Sequence, residues 1–113
     1  MAIKIANKEY KRVDLVEVAG RVDSSTAPQL EKTLNLILNN GRYHIVVDLA
    51  KTDFMSSAGL RVLLATLKQT HRFNRGDVRL AAMPAKIKKA FALAGLDELF
   101  QIFDDPVDAV GSF

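Results

Sequence analysis

The chain has 113 residues, 49% hydrophobic and 26% charged, with a net charge of +3. That balance fits one folded domain over residues 1–113 and excludes a disordered chain. No cysteine is present, which removes disulfides, thiolate metal sites and cysteine nucleophiles.

The elements follow in order. Residues 3–8 and 13–19 read as strands, with Val13, Leu15 and Val18 set among charged neighbours, paired as a hairpin across residues 9–12. Gly20 breaks the pattern, and DSSTAPQLEKTLNLILNNG starts as a helix should. Thr26 and Gln29 form a capping-box pattern, and Pro28 is tolerated in a first turn. Leu30, Leu34, Ile37 and Leu38 fall on one face. Gly41 is a natural left-handed stop.

Residues 43–49, YHIVVDL, read as a central strand covered on both faces. A loop over residues 50–56 then leads to a helix from about residue 57 to 72. Leu60, Leu63, Leu64 and Leu67 make its buried stripe, with Arg61, Lys68 and Arg72 opposite. Phe54 and Leu60 are assigned to the core. Residues 74–76 are a turn and 78–83 another strand. Pro84 opens a third helix, AKIKKAFALAG, with Ile87, Phe91 and Ala94 inward and its lysines outward. Gly95 ends it, with Leu96 packing back in a Schellman arrangement. Residues 99–103 form the last strand, and Asp104 and Asp105 cap a short final helix. Strands alternating with helices imply an α/β fold: a mostly parallel sheet of about five strands, packed by about four helices through right-handed crossovers.

The functional signal lies in FMSSAGLRVLL, where two serines stand between a strand end and a helix start. A serine there has an ordinary task, accepting a bond from a free backbone N–H of the first turn. That accounts for one of the two. A helix start also favours an anion, above all a phosphate, so Ser57 is a good seat for phosphorylation, with Arg61 one turn on to offset the charge.

Other chemistries fare worse. His44 opens a strand and His71 ends a helix, so neither stands beside the serines as a base, and SSAG is not the G-x-S-x-G elbow. Asp48, Asp53, Asp104 and Asp105 show no metal-ligand spacing, and Asp48 is expected in a hydrogen-bonded strand-end role. Gly59 stands alone, so no phosphate-cradling loop exists, and a helix start would hold a nucleotide only weakly. Lys86, Lys88 and Lys89 are the one basic cluster and read as a solvated helix face; nucleic-acid binding would need a wider patch with aromatics. No apolar stretch has transmembrane length, and MAIKIANKEYKR lacks a signal-type apolar run. A cytoplasmic protein without a membrane partner is expected.

The hairpin followed by GRVDSSTAPQLEKTL, HIVVDLAKTDFMSSAGLRVLL and MPAKIKKAFALAGLDELFQIFDD resembles a STAS domain, more narrowly the single-domain bacterial anti-sigma-factor antagonists. The resemblance covers nearly the whole chain and implies the STAS-type mixed sheet. It also implies a binding module and not an enzyme, without a cofactor. Unphosphorylated members bind an anti-sigma factor that is also an ATP-dependent serine kinase, which frees a sigma factor. Phosphorylation releases the antagonist, and a metal-dependent serine phosphatase resets it. The family's acceptor is the serine two residues before the motif glycine, here Ser57, followed by Ala58 and Gly59. Many members carry aspartate where this chain has Ser56, so Ser56 is the alternative acceptor. Asp23 in GRVD is kept, and its loop, with Ser24, faces the kinase in the family. The implied partner face is Asp23, Ser24, Ser56, Ser57, Ala58, Gly59 and Arg61, with Gly59 letting a partner's backbone come close. A monomer is expected. The alternative is a STAS scaffold or accessory module in another signalling or transport assembly, without sigma-factor control.

Overall fold

A computed structural model describes residues 3–113, with Phe73 described by its backbone alone. Strand β1 (Lys4–Glu9) and β2 (Asp14–Val22) form the hairpin, followed by α1 (Ala27–Asn39), β3 (His44–Met55), α2 (Ser57–His71), β4 (Asp77–Ala81), α3 (Ala85–Leu93), β5 (Ile102–Phe103) and α4 (Pro106–Gly111). The strands lie in sequence order, β1 antiparallel to β2 and the rest parallel. The helices divide between the two faces. Buried residues of α1, α2 and α3 share one core with Val16, Val18, Ile45, Val47, Leu49, Val78 and Leu80. Ala109 of α4 packs on the opposite face against Val13, Leu15, Val46 and Ala81. Neighbouring residues of one strand point to opposite faces, and this alternation builds two cores from one sheet.

Several local expectations hold. Leu30, Leu34, Ile37 and Leu38 are the buried face of α1. Gly41 and Gly95 have φ of +78° and +72°, where a side chain would be strained. After α3 the Leu96 N–H reaches the Phe91 carbonyl at 2.9 Å and the Gly95 N–H reaches Ala92 at 3.1 Å, a complete Schellman end. Asp105 caps α4 by accepting from the Val107 N–H at 2.8 Å.

Other expectations fail. The segment after residue 49 is strand and not loop as far as Met55. Beyond Asp48 it has lost β4 and pairs with β2 alone, through two register shifts. Its inward polar residue, Thr52, is buried because its hydroxyl donates to the Val18 carbonyl at 2.9 Å, which removes the cost of burying it. Phe54 is 37% exposed and outside the core, while Met55, its neighbour, is buried. The capping box does not form: Thr26 makes no side-chain cap bond, since its hydroxyl accepts from the Asp23 N–H at 2.9 Å and donates to the Arg21 carbonyl at 2.8 Å. Finally, Ala94 is an exposed helix end and residues 99–101 are not strand, leaving Leu99 half in solvent.

Candidate functional site

The site grows from two adjacent strand ends. Val22 closes β2 and Met55 closes β3, and the two are register partners. The chain leaves each in the same direction because the strands are parallel, the place where open α/β sheets present their ligand and partner loops. The Ser56 N–H donates to the Val22 carbonyl at 2.8 Å. That bond holds the start of α2 against the loop that begins at Asp23.

Asp23 organises its loop. One carboxylate oxygen accepts from the Ser25 hydroxyl at 2.6 Å and from the N–H groups of Ser25 at 2.9 Å and Thr26 at 3.2 Å. The other faces the Arg21 guanidinium at 3.2 Å. The Ser25 hydroxyl, with the two N–H groups and Arg21 helping, holds the Asp23 carboxyl at about 2 against an ordinary 3.8. A depressed carboxyl contributes its stability above the unfolded value and loses it as the pH falls through the folded one. Asp23's contribution is therefore expected to be full well above the ordinary value of 3.8 and to be lost as the pH falls from there toward about 2. Carboxyl NMR titration checks this: in Ser25→Ala the Asp23 midpoint should climb toward the ordinary value, and an unmoved midpoint would refute the assignment of cause.

The two serines differ sharply. Ser56 is the N-cap of α2, with extended backbone and no side-chain cap bond. Its hydroxyl oxygen is buried and has no hydrogen-bond partner among the described residues. Ser57, the first residue of the helix, is exposed. The first turn of α2 carries no acidic side chain, so nothing there offsets the positive end of the helix dipole. Ser24 and Arg61 are exposed beside this pair, while Ala58 is half-buried against the core.

Gly59 has a different task from the one expected. It is buried, and a Cβ on it would lie 2.3 Å from the Met55 sulfur and 2.7 Å from Val22 Cγ1. The missing side chain lets α2 sit close on the ends of β2 and β3; it does not open a surface to a partner. Met55 is flexible enough to yield, but Val22 is fully buried in a strand. Gly59→Ala is expected to cost about 1–3 kcal/mol by overpacking, read as a lower urea midpoint; an unchanged midpoint would reject the contact.

Sequence reasoning missed Arg21 and Phe54. They are register partners, and the Arg21 guanidinium lies 3.9 Å from the centre of the Phe54 ring. Such a pair at an exposed position is worth about 0.5–1 kcal/mol, and it sets a flat aromatic–cationic surface beside Asp23. The available signal was the adjacency of Phe54 and Met55, because two consecutive strand residues cannot both face one core.

The histidines lie away from the serines. His44 opens β3, at the opposite end from Met55, and stacks on Phe113 with ring centres 4.8 Å apart. His71 ends α2 and meets Asp77 at 2.7 Å. Asp48 accepts from the Ala50 N–H at 3.0 Å and so supports the first irregularity of β3. Among the described residues, no group of three or more His, Asp or Glu side chains is arranged to hold a metal ion, and no helix is long and apolar enough to cross a membrane.

Residues 4–109 match the family model of the STAS domain. The chain belongs to the STAS domain family. This STAS domain is 32% identical to BtrV of Bordetella bronchiseptica over 94 residues, covering 83% of the chain and 80% of BtrV. It is 30% identical to the anti-sigma-B factor antagonist of Staphylococcus aureus over 87 residues, covering 77% of the chain and 80% of that protein. The crystal structure of an anti-sigma factor antagonist from Mycobacterium paratuberculosis superposes with a TM-score of 0.89 at 26% identity, over 98% of this chain and 93% of the other. The five-stranded, mostly parallel mixed sheet with four helices is thus the STAS fold.

Proposed function

We propose that this STAS domain is an anti-sigma-factor antagonist whose binding is switched by phosphorylation of Ser57. The observation that carries the reading is the contrast between the two serines. Ser57 offers an exposed hydroxyl on the first residue of a helix whose first turn has neither a side-chain cap bond nor an acid, whereas the Ser56 oxygen is enclosed. A kinase can reach the first and not the second. A phosphate on Ser57 would lie at the positive end of α2 with Arg61 one turn on. The names of the relatives, anti-sigma factor antagonists among them, support the partner class.

In this reading the unphosphorylated chain binds an anti-sigma factor with serine kinase activity through Asp23, Ser24, Ser57 and Arg61, joined by Arg21 and Phe54. Ser56, Ala58 and Gly59 shape the start of the helix behind that surface. The bound antagonist frees a sigma factor, the kinase phosphorylates Ser57, and a serine phosphatase restores the binding form. The chain acts as a cytoplasmic binding module and performs no catalysis itself.

The test is the intact mass of the protein from its native cells, beside a Ser57→Ala control. A species heavier by one phosphate, absent from the control, is the expected result. The same species surviving in the control would move the acceptor elsewhere. No heavier species after incubation with ATP and the host's anti-sigma kinases would overturn the switch and favour an unswitched scaffold.

A further inference from the structure

Helices α2 and α3 contain no acidic residue. Their exposed cations are Arg61 and Lys68 on α2 and Lys86, Lys88 and Lys89 on α3. Among the described residues Lys88 pairs with Asp104 at 3.7 Å, and Lys68 takes part in no ion pair. Beside Lys68 the surface is concave. A groove of about 610 Å³ runs between the second half of α2 and the segment that follows α3. Leu64, Leu67 and Leu99 supply its apolar wall, and Lys68, His71 and Arg72 its rim. Leu99 is 52% exposed.

We propose that this groove docks a second protein by an acidic amphipathic helix, which lays one or two large apolar side chains against Leu64, Leu67 and Leu99 and sets carboxylates opposite Lys68 and Arg72. Charge complementarity selects the occupant. Lys68 lies in the last turn of α2 and Arg72 caps its end four residues on, so two basic side chains rim one side of the groove, and a helix face with apolar anchors is the segment that fills such a groove. An anionic bilayer fits less well, because the site is a concave groove and a bilayer surface cannot enter it. Nucleic acid fits less well, because the groove's described lining has no Phe, Tyr or Trp side chain to stack on a base. The groove is separate from the switch: Lys68 is eleven residues beyond Ser57, roughly 16 Å along the helix, which exceeds the distance of about 8 Å over which salt screens an exposed charge. This inference does not rest on the phosphorylation reading.

The probe is a fluorescein-labelled synthetic helical peptide of leucines at i and i+4 with glutamate at the remaining exposed positions, titrated into the full chain and read by fluorescence anisotropy. Two control peptides replace every glutamate by lysine or every leucine by serine. Saturable binding of the acidic peptide alone is expected, weakened about tenfold or more by Lys68→Glu and by Leu99→Ser, a difference of roughly 1.4 kcal/mol for each tenfold. Both positions are exposed, and thermal melts of the two variants check that the fold is kept. Absence of saturation, or equal binding of the lysine peptide, overturns the proposal. So does concentration-dependent self-association that is lost in Val107→Asp, since exposed Val107 lies among Asp104, Asp105 and Asp108 and would make a second copy the occupant.

Discussion

The chain phosphorylated at Ser57 is expected to bind its anti-sigma factor about a thousandfold more weakly than the unmodified chain, a loss of roughly 4 kcal/mol. The magnitude follows from the charges. Ser57 is exposed as a neutral hydroxyl, and a hydroxyl enters an interface at little cost when it finds a hydrogen-bond partner. Phosphorylation adds about −1.5 to −2 charges at that point. Within the chain the new anion is well placed, at the uncapped start of α2 with Arg61 one turn on. Against a partner surface fitted to the hydroxyl, it must be desolvated without a counter-charge, which costs several kcal/mol. The fold should not change, because the added charge stays on the exposed side of the helix, and thermal stability should be equal or slightly higher. Ser57→Glu adds a single charge and is expected to lose affinity at least tenfold, about 1.4 kcal/mol. Ser57→Ala removes only an exposed hydroxyl and is expected to bind within a few-fold of the unmodified chain. Calorimetric titration of the anti-sigma factor with the three forms decides the matter. Equal affinity for the unmodified and phosphorylated chains would end the switch as an explanation.

The choice of Ser57 over Ser56 shows what the sequence could and could not carry. SSAG places two hydroxyls at a helix start, and the chemistry of that position is readable from helix geometry alone. Which hydroxyl is covered depends on the bond from the Ser56 N–H to Val22, a residue thirty-four positions earlier. No local pattern contains that contact. The long β3 was hidden for a related reason. After residue 49 the sequence AKTDFM has no regular alternation, because two register shifts against β2 break the period on which strand reading depends. The buried Thr52 was masked by its own polarity, and only its partner, the Val18 carbonyl, explains it. By contrast, the ends of α3 and the cap of α4 were legible, since Gly95–Leu96 and Asp105 act through bonds within a few residues. Local bonds are written in local sequence; bulges and buried hydroxyls are settled by distant strands.

The largest effect on stability is expected at Arg42. Asp14 begins β2 with 1% of its surface exposed, between Glu9 of β1 and Ile45 of β3. The Arg42 guanidinium, arriving from the turn after α1, hydrogen-bonds this carboxylate. It also donates to the Tyr10 carbonyl at 2.6 Å and stands 3.5 Å from Glu9. The Asp14 carboxylate raises the affinity of Arg42 for its proton, the direction expected when the cation is the group that the site stabilises. Such a pair adds little beyond two well-packed apolar residues, but breaking it leaves a buried charge alone. Arg42→Met should therefore destabilise the fold by about 3–5 kcal/mol, a large part of the total for a domain of this size. Asp14→Asn in the same chain removes the stranded charge, so the double variant should be more stable than Arg42→Met alone, and with Asp14→Asn measured by itself the completed cycle gives the coupling. Urea unfolding of the single and double variants supplies the numbers; a single variant within about 0.5 kcal/mol of the unmodified chain would show that Asp14 finds another route to solvation. Because this pair ties the hairpin to β3 at the end of the sheet away from Ser57, folded Arg42→Met should still bind the anti-sigma factor with unchanged affinity. Loss of binding at temperatures where the variant remains folded would mean that the two ends of β3 are coupled, and that the switch surface depends on more than the ends of β2 and β3.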